Sequence, residues 1–126
     1  RRVLFRSQEA LRVNQQLGQM ALKGLRLEDR HNGNIFYHKM TGRPKHIDFG
    51  IAGMMDKGES AAQLADVTAE GFDAAGLHGI GGVVRATVMD YLEGGDIDEA
   101  MDLAKQAFSK MQKIKQPLKQ PVDLLG

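Results

Sequence analysis

Apolar residues fall at Ala10, Val13, Leu17, Met20 and Ala21, a spacing that predicts a helix over 8–23 with one buried face. Gly24 is its expected stop. Leu25-Arg26-Leu27 reads as a short strand opening into the polar loop Glu28 to Asn34. The β-prone Ile35-Phe36-Tyr37-His38, the turn residues Thr41-Gly42-Arg43-Pro44 and the return strand Lys45-His46-Ile47-Asp48 make 35–48 a candidate hairpin. Beyond Gly50 the pattern turns helical. Ala62, Leu64, Ala65, Val67, Phe72 and Ala75 predict a helix over 59–75, and the glycine cluster 76–82 reads as a flexible interhelical loop. Val83, Val84, Thr87, Val88 and Tyr91 share one side of a helix over 83–92. Asp96 and Glu99 have capping-box spacing ahead of a third helix. Its stripe of Ile97, Ala100, Met101, Ala104, Ala107, Phe108, Met111 and Ile114 reads as core, and Pro117 and Pro121 end it before a polar tail. The Met54-Met55 pair also reads as packing.

This order is helix, strand, loop, hairpin, helices. It predicts a mainly α fold with a short β-hairpin and speaks against the repeated βαβ units of a doubly wound sheet. Composition sharpens the picture little: 126 residues, 42% apolar and 26% charged, describe one ordinary globular unit. A net charge of +1 lacks the basic excess of a nucleic-acid binder. Cysteine is absent, which excludes disulfides, thiolate nucleophiles and cysteine zinc sites. No apolar run reaches the roughly 18–20 residues needed to span a bilayer, and no secretory signal opens the chain, so a cytoplasmic location is expected.

Arg1-Arg2-Val3-Leu4-Phe5-Arg6-Ser7 matches, residue for residue, the translation of a sequencing-adapter tail. The expectation is that 1–7 is an artefact, that 8–116 is the folded unit, cut off on its N-terminal side, and that 117–126 is a tail.

Two strings carry chemistry: Asp29-Arg30-His31-Asn32-Gly33-Asn34-Ile35 and His46-Ile47-Asp48-Phe49-Gly50. Phosphoryl transfer asks a protein to position a nucleophile and to neutralise phosphate charge, mostly through magnesium. Magnesium prefers oxygen ligands, typically one or two carboxylates beside the nucleotide phosphates. Asp29 and Asn34 have the D-x-x-x-x-N spacing of a kinase catalytic loop, and Asp48-Phe49-Gly50 is the magnesium-binding D-F-G. Asn34 and Asp48 lie at opposite ends of the candidate hairpin, which would bring their oxygens to one metal cluster. A D-F-G alone arises by chance in a chain this long about once in a hundred, so the paired string, not the tripeptide, carries the reading.

These residues resemble the phosphoinositide 3-/4-kinase family, over roughly residues 25–52. The resemblance implies the C-terminal lobe of a protein-kinase-like α+β fold, using ATP and Mg2+ and acting on a hydroxyl of a lipid or protein. Asp29 would be the catalytic-loop acid and His31 the second catalytic residue, near the transferred phosphate. Asn34 and Asp48 would hold magnesium, with Phe49 and Gly50 completing the nucleotide-side motif and Arg30 bracing the loop. UbiB-type atypical kinases are a second resemblance, through a D-x-H-x-G-N loop and a D-F-G followed by helices. There Asp29, His31, Gly33, Asn34 and Asp48 fit, with Asn32 in place of the usual proline.

Kinases also need a phosphate-covering loop and a strand lysine. Neither precedes Asp29, and Gly76–Gly82 does not fit G-x-G-x-x-G, so an N-lobe of the same chain is an expected partner. The stretch Ile51 to Ser60 offers Lys57 as its one basic residue, beside Asp56 and Glu59. A non-catalytic pseudokinase or helical scaffold is the alternative outside enzymes. Two further features have plain readings. His31, His38 and His46 read as ordinary loop and strand residues rather than a metal site, and Lys110, Lys113, Lys115 and Lys119 as a solvated helix end.

Overall fold

A computed structural model describes residues 2–27, 51–118 and 122–123. The elements in chain order are α1 (Arg2–Leu22), β1 (Leu25–Leu27), β2 (Ile51–Met54), α2 (Lys57–Ala74), β3 (Leu77–His78), α3 (Ile80–Glu93), α4 (Ile97–Gln112) and β4 (Val122–Asp123). The fold is mainly α with a short antiparallel two-stranded pair, β1 against β2. The candidate hairpin 35–48 lies outside the described residues.

The centre of the molecule is α2, which packs against α1, α3 and α4. Its composition suits that place. Ala61, Ala65, Ala69 and Gly71 are small and buried, so neighbouring helices approach closely, while Leu64, Val67 and Phe72 fill the space between them. Leu64 and Phe72 join Leu11 of α1, Val84 and Val88 of α3, and Met101, Phe108 and Met111 of α4 in one cluster. A second, smaller cluster joins Val67 to Val13 and Leu17 of α1. The α1 residues expected to be buried are buried, except Met20, which is half-buried, and Leu11 joins them.

Several boundaries differ from the sequence expectation, each for a local reason. No breaker lies between Arg2 and Ser7, and α1 runs through that stretch. After Gly50 the chain first forms β2 and only then a helix. The helix begins at Lys57 because Asp56 caps it: the Asp56 carboxylate accepts from the Glu59 amide at 2.8 Å, and the Glu59 carboxylate accepts from the Asp56 amide at 3.3 Å. The expected box at Asp96 and Glu99 does not form, although α4 starts at Ile97 as expected. The amide of Asp96 donates to the Tyr91 carbonyl and that of Gly95 to Leu92, a Schellman end to α3 with Gly95 at φ +82°. Asp96 thus has ψ 66° instead of the extended backbone of a cap, and its amide is already spent.

The glycine cluster 76–82 is not one loop. It holds β3 and the first turn of α3, whose buried positions are Gly81, Val84 and Val88. Val83 is 47% exposed and Tyr91 also faces outward, so the buried face is rotated from the expected one. Met54, expected to pack, is 65% exposed. The stripe of α4 is core as expected, save that Ile97 is exposed and Ile114 lies just past the helix end, half-buried. That end is held from α1: Gln15 Nε2 donates to the carbonyls of Met111, Gln112 and Ile114 at 3.2, 3.4 and 3.1 Å. The chain beyond it returns along the core, with Pro117 buried, Leu118 N–H donating to the Ala75 carbonyl, and β4 parallel to β3.

Two stability predictions follow from this packing. A Cβ on Gly18 would stand 2.0 Å from Cε1 of the buried Phe108 ring, whereas one on Gly82 would meet nothing within 4 Å. Gly18→Ala should therefore destabilise the fold by about 1–3 kcal/mol through overpacking. Gly82→Ala, in an open helical position, should stabilise it by about 0.5–1 kcal/mol; urea unfolding of both variants checks the opposite signs. The Thr68 hydroxyl is buried without a hydrogen-bond partner. Thr68→Val should raise stability by about 1 kcal/mol, since it removes an unpaid desolvation cost, and a lowered midpoint in the same assay would contradict it.

Candidate functional site

Asp29, His31, Asn34, Asp48, Phe49 and Gly50, like Arg30, His38 and His46, lie outside the described residues. What the structure describes is the frame at either end of the segment 28–50. Leu27, the last residue of β1, and Ile51, the first of β2, are register partners. The remaining pairs are Arg26 with Gly53 and Leu25 with Met54, so Ala52 is an extra residue and the ladder bulges between Arg26 and Leu27. A bulge increases local twist and redirects the strand that carries it. Gly53 takes φ +124° there, a conformation that a side chain would resist.

The pair is fastened to the helical body next to that bulge. Met55 N–H donates to the Gly24 carbonyl at 2.8 Å, extending the pair by one residue, and Gln63 Nε2 of α2 ties it to the helical body through the Leu25 carbonyl at 3.3 Å. Arg26 Nη2 donates to Glu59 Oε2 at 2.6 Å. Glu59 thereby serves two partners, because its Oε1 closes the capping box on Asp56. The third charge of this stretch, Lys57, pairs with Asp98 at the start of α4. The hydrogen bond and the charge of Asp98 hold the Lys57 ammonium above the usual lysine range, and the same contact holds the Asp98 carboxyl below the usual aspartate range.

Sequence reasoning singled out Asp56, Lys57 and Glu59 only as a charge balance. The signal that identified their roles was available in Asp56-Lys57-Gly58-Glu59, a capping-box spacing ahead of an apolar run. The partners Arg26 and Asp98 lie far away in sequence and left no such signal. A groove between α2 and α3 was also not legible. It has a volume of about 350 Å3, is lined by Ala62, Gln63, Ala65, Asp66, Arg85 and Met89, and carries a 2.8 Å bond from Arg85 Nε to Asp66 Oδ1. Among the described residues, no group of three histidine or carboxylate side chains could hold a metal, and no helix is long and apolar enough to cross a membrane. No family model, curated protein or solved structure matches this chain.

The Lys57–Asp98 contact makes a pH prediction. Asp98 titrates low in the fold, so its contribution is present above the ordinary aspartate value and is lost as pH falls through the lowered one. Lys57 titrates high, so its contribution is present below the ordinary lysine value and is lost as pH rises through the raised one. The contact should persist from about pH 4 to about pH 10. In Lys57→Met, the Asp98 carboxyl should return to the ordinary range, read by NMR titration of its side-chain carbon.

Proposed function

We propose that this chain carries the catalytic-loop half of an ATP-dependent phosphotransferase, which passes the γ-phosphoryl group to a hydroxyl of a lipid or protein. One observation supports the reading beyond the motifs themselves: the β1–β2 pair holds the two ends of segment 28–50 side by side. Asp29 lies two residues beyond one end and Asp48 three residues before the other. Convergent strand ends are what a catalytic loop and a metal motif distant in sequence need in order to share one substrate.

In this reading Asp29 orients the acceptor hydroxyl and takes its proton. His31 stands beside the transferred phosphate. The oxygens of Asn34 and Asp48 suit magnesium, a hard cation, and Phe49 and Gly50 complete the nucleotide side. Bound magnesium neutralises phosphate charge. The nucleotide's remaining grip comes from an N-lobe of the same polypeptide.

The UbiB-type reading draws support from α2, α3 and α4, which follow the D-F-G after one short strand. The fate of Lys57 points the same way. It is the one basic residue of 51–60 and is engaged by Asp98, which leaves that stretch poorly suited to an anionic lipid headgroup.

The test is substitution in the complete open reading frame. Asp48→Ala should abolish magnesium-dependent phosphoryl transfer from radiolabelled ATP with the circular dichroism spectrum unchanged, through loss of a metal carboxylate. Asp29→Ala should cut kcat severely, by about 100-fold or more, with a milder effect on ATP affinity. Undiminished transfer in Asp48→Ala would refute the proposal.

A further inference from the structure

We propose that the groove between α2 and α3 binds a carboxylate carried on an apolar stem, with the Arg85 guanidinium as the group that recognises it. The site is built from the two helices alone and does not depend on the phosphotransferase reading. Its origin is a matter of side-chain size. The two backbones meet at Gly81, where a Cβ would stand 2.8 Å from the Ala69 carbonyl oxygen. Away from that meeting point, Ala62, Ala65 and Asp66 of α2 stand across from Arg85 and Met89 of α3. Ala62 and Ala65 are too small to fill the space. The cleft left open has a volume of about 350 Å3, within the roughly 300–1,000 Å3 of small-molecule sites. Such sites combine an apolar lining with a few placed polar groups, and this one has both.

Arg85 bridges the cleft. Its Nε donates to Asp66 Oδ1 at 2.8 Å. That bond orients the guanidinium plane, and it leaves both Nη groups without a hydrogen-bond partner among the described residues. Two Nη groups form a planar fork that matches the two oxygens of a carboxylate. The Arg85 and Asp66 side chains are 41% and 35% exposed, so the fork is reachable from water. Ala62 and Ala65 offer the apolar stem a floor, and Met89 offers it an unbranched, polarizable wall that can adapt to its shape. Asp66 sets the charge that the cleft accepts. Its carboxylate shares the guanidinium with the incoming group and opposes a second negative charge there. A carboxylate, with one charge, therefore suits the fork better than a phosphate monoester, which carries about −1.5 to −2 at pH 7.

The test uses the 126-residue chain, with octanoate as the probe and 1H–15N NMR as the readout, in which the Arg85 Nε–H gives its own signal. Octanoate should shift that signal and the backbone amides of 62–66 and 85–89, with a Kd in the millimolar range expected of so small a ligand. Octanamide has the same stem without the charge and should bind about tenfold more weakly. Octyl phosphate should also bind more weakly than octanoate. Arg85→Met keeps the aliphatic stem and should weaken octanoate by about tenfold with the circular dichroism spectrum unchanged. Asp66→Asn keeps an acceptor for the Arg85 Nε–H and removes the opposing charge, so it should tighten octanoate by about threefold. A purely structural Arg85–Asp66 bond predicts no such gain. Absence of shifts at the groove would overturn the proposal, as would equal binding of octanoate and octanamide, or parent-like binding by Arg85→Met. Tighter binding of octyl phosphate, or weaker octanoate binding in Asp66→Asn, would overturn it as well.

Discussion

Burial of α2 is the constraint on which the described fold depends. It contacts three other helices, and removing any of them would uncover apolar surface. Full burial of a leucine, valine or phenylalanine contributes about 1.5–3 kcal/mol, and α2 supplies Leu64, Val67 and Phe72 to the core. Its alanines do a different task. They contribute little apolar surface, but they let the larger side chains of α1, α3 and α4 reach the helix axis. Glycines do the same where a still closer approach is needed: Met111 lies against Gly71 of α2, and Phe108 against Gly18 of α1. Size complementarity, not a wide leucine stripe, holds these four helices together.

The frame around segment 28–50 follows different physics. Its strands are short, Arg26 and Met54 are exposed, and it is held by hydrogen bonds and an ion pair that contribute little apiece to stability. It is nevertheless continuous with the core, because the capping box that starts α2 also supplies the acceptor for Arg26. A rigid buried helix thereby fixes the direction of two weak strands. Rigid elements hold a functional constellation more precisely than free loops do.

The helices were legible because their signal is periodic and local. The stripe of α4 from Ala100 to Met111, the first strand at 25–27 and the helix stop at Gly24 all stand in the structure as read. The failures occur where one local pattern admits two outcomes. Asp56-Lys57-Gly58-Glu59 and Asp96-Ile97-Asp98-Glu99 have the same capping spacing, yet only the first forms a box. The difference lies upstream: Gly94-Gly95 ends α3 in a Schellman turn that uses the Asp96 amide, whereas Asp56 follows a strand and arrives extended. β2 was missed because Ile51-Ala52-Gly53-Met54 has neither alternation nor a β-branched run. It is a strand by virtue of its partner, β1. Of the candidate site, the motif strings were legible and their structural clamp was not, since Arg26 and Glu59 are 33 residues apart.

That contrast bears on how the functional reading is built. Asp29, His31 and Asn34 fall within six residues, and Asp48, Phe49 and Gly50 within three, so each string is a local chemical statement. In the proposed site neither string acts alone, because a proton acceptor and a metal ligand must meet at one phosphate. What converts two local statements into one proposed site is a long-range fact, the pairing of Leu27 with Ile51. An antiparallel ladder sets the register of its own flanks, so the β1–β2 pair brings the starts of the two strings together whatever they do, and the proposed site makes use of that register. The bulge, the left-handed Gly53 and the Arg26–Glu59 ion pair all lie within a few residues of the strand ends, so any strain or register change in the pair is felt at both flanks of segment 28–50.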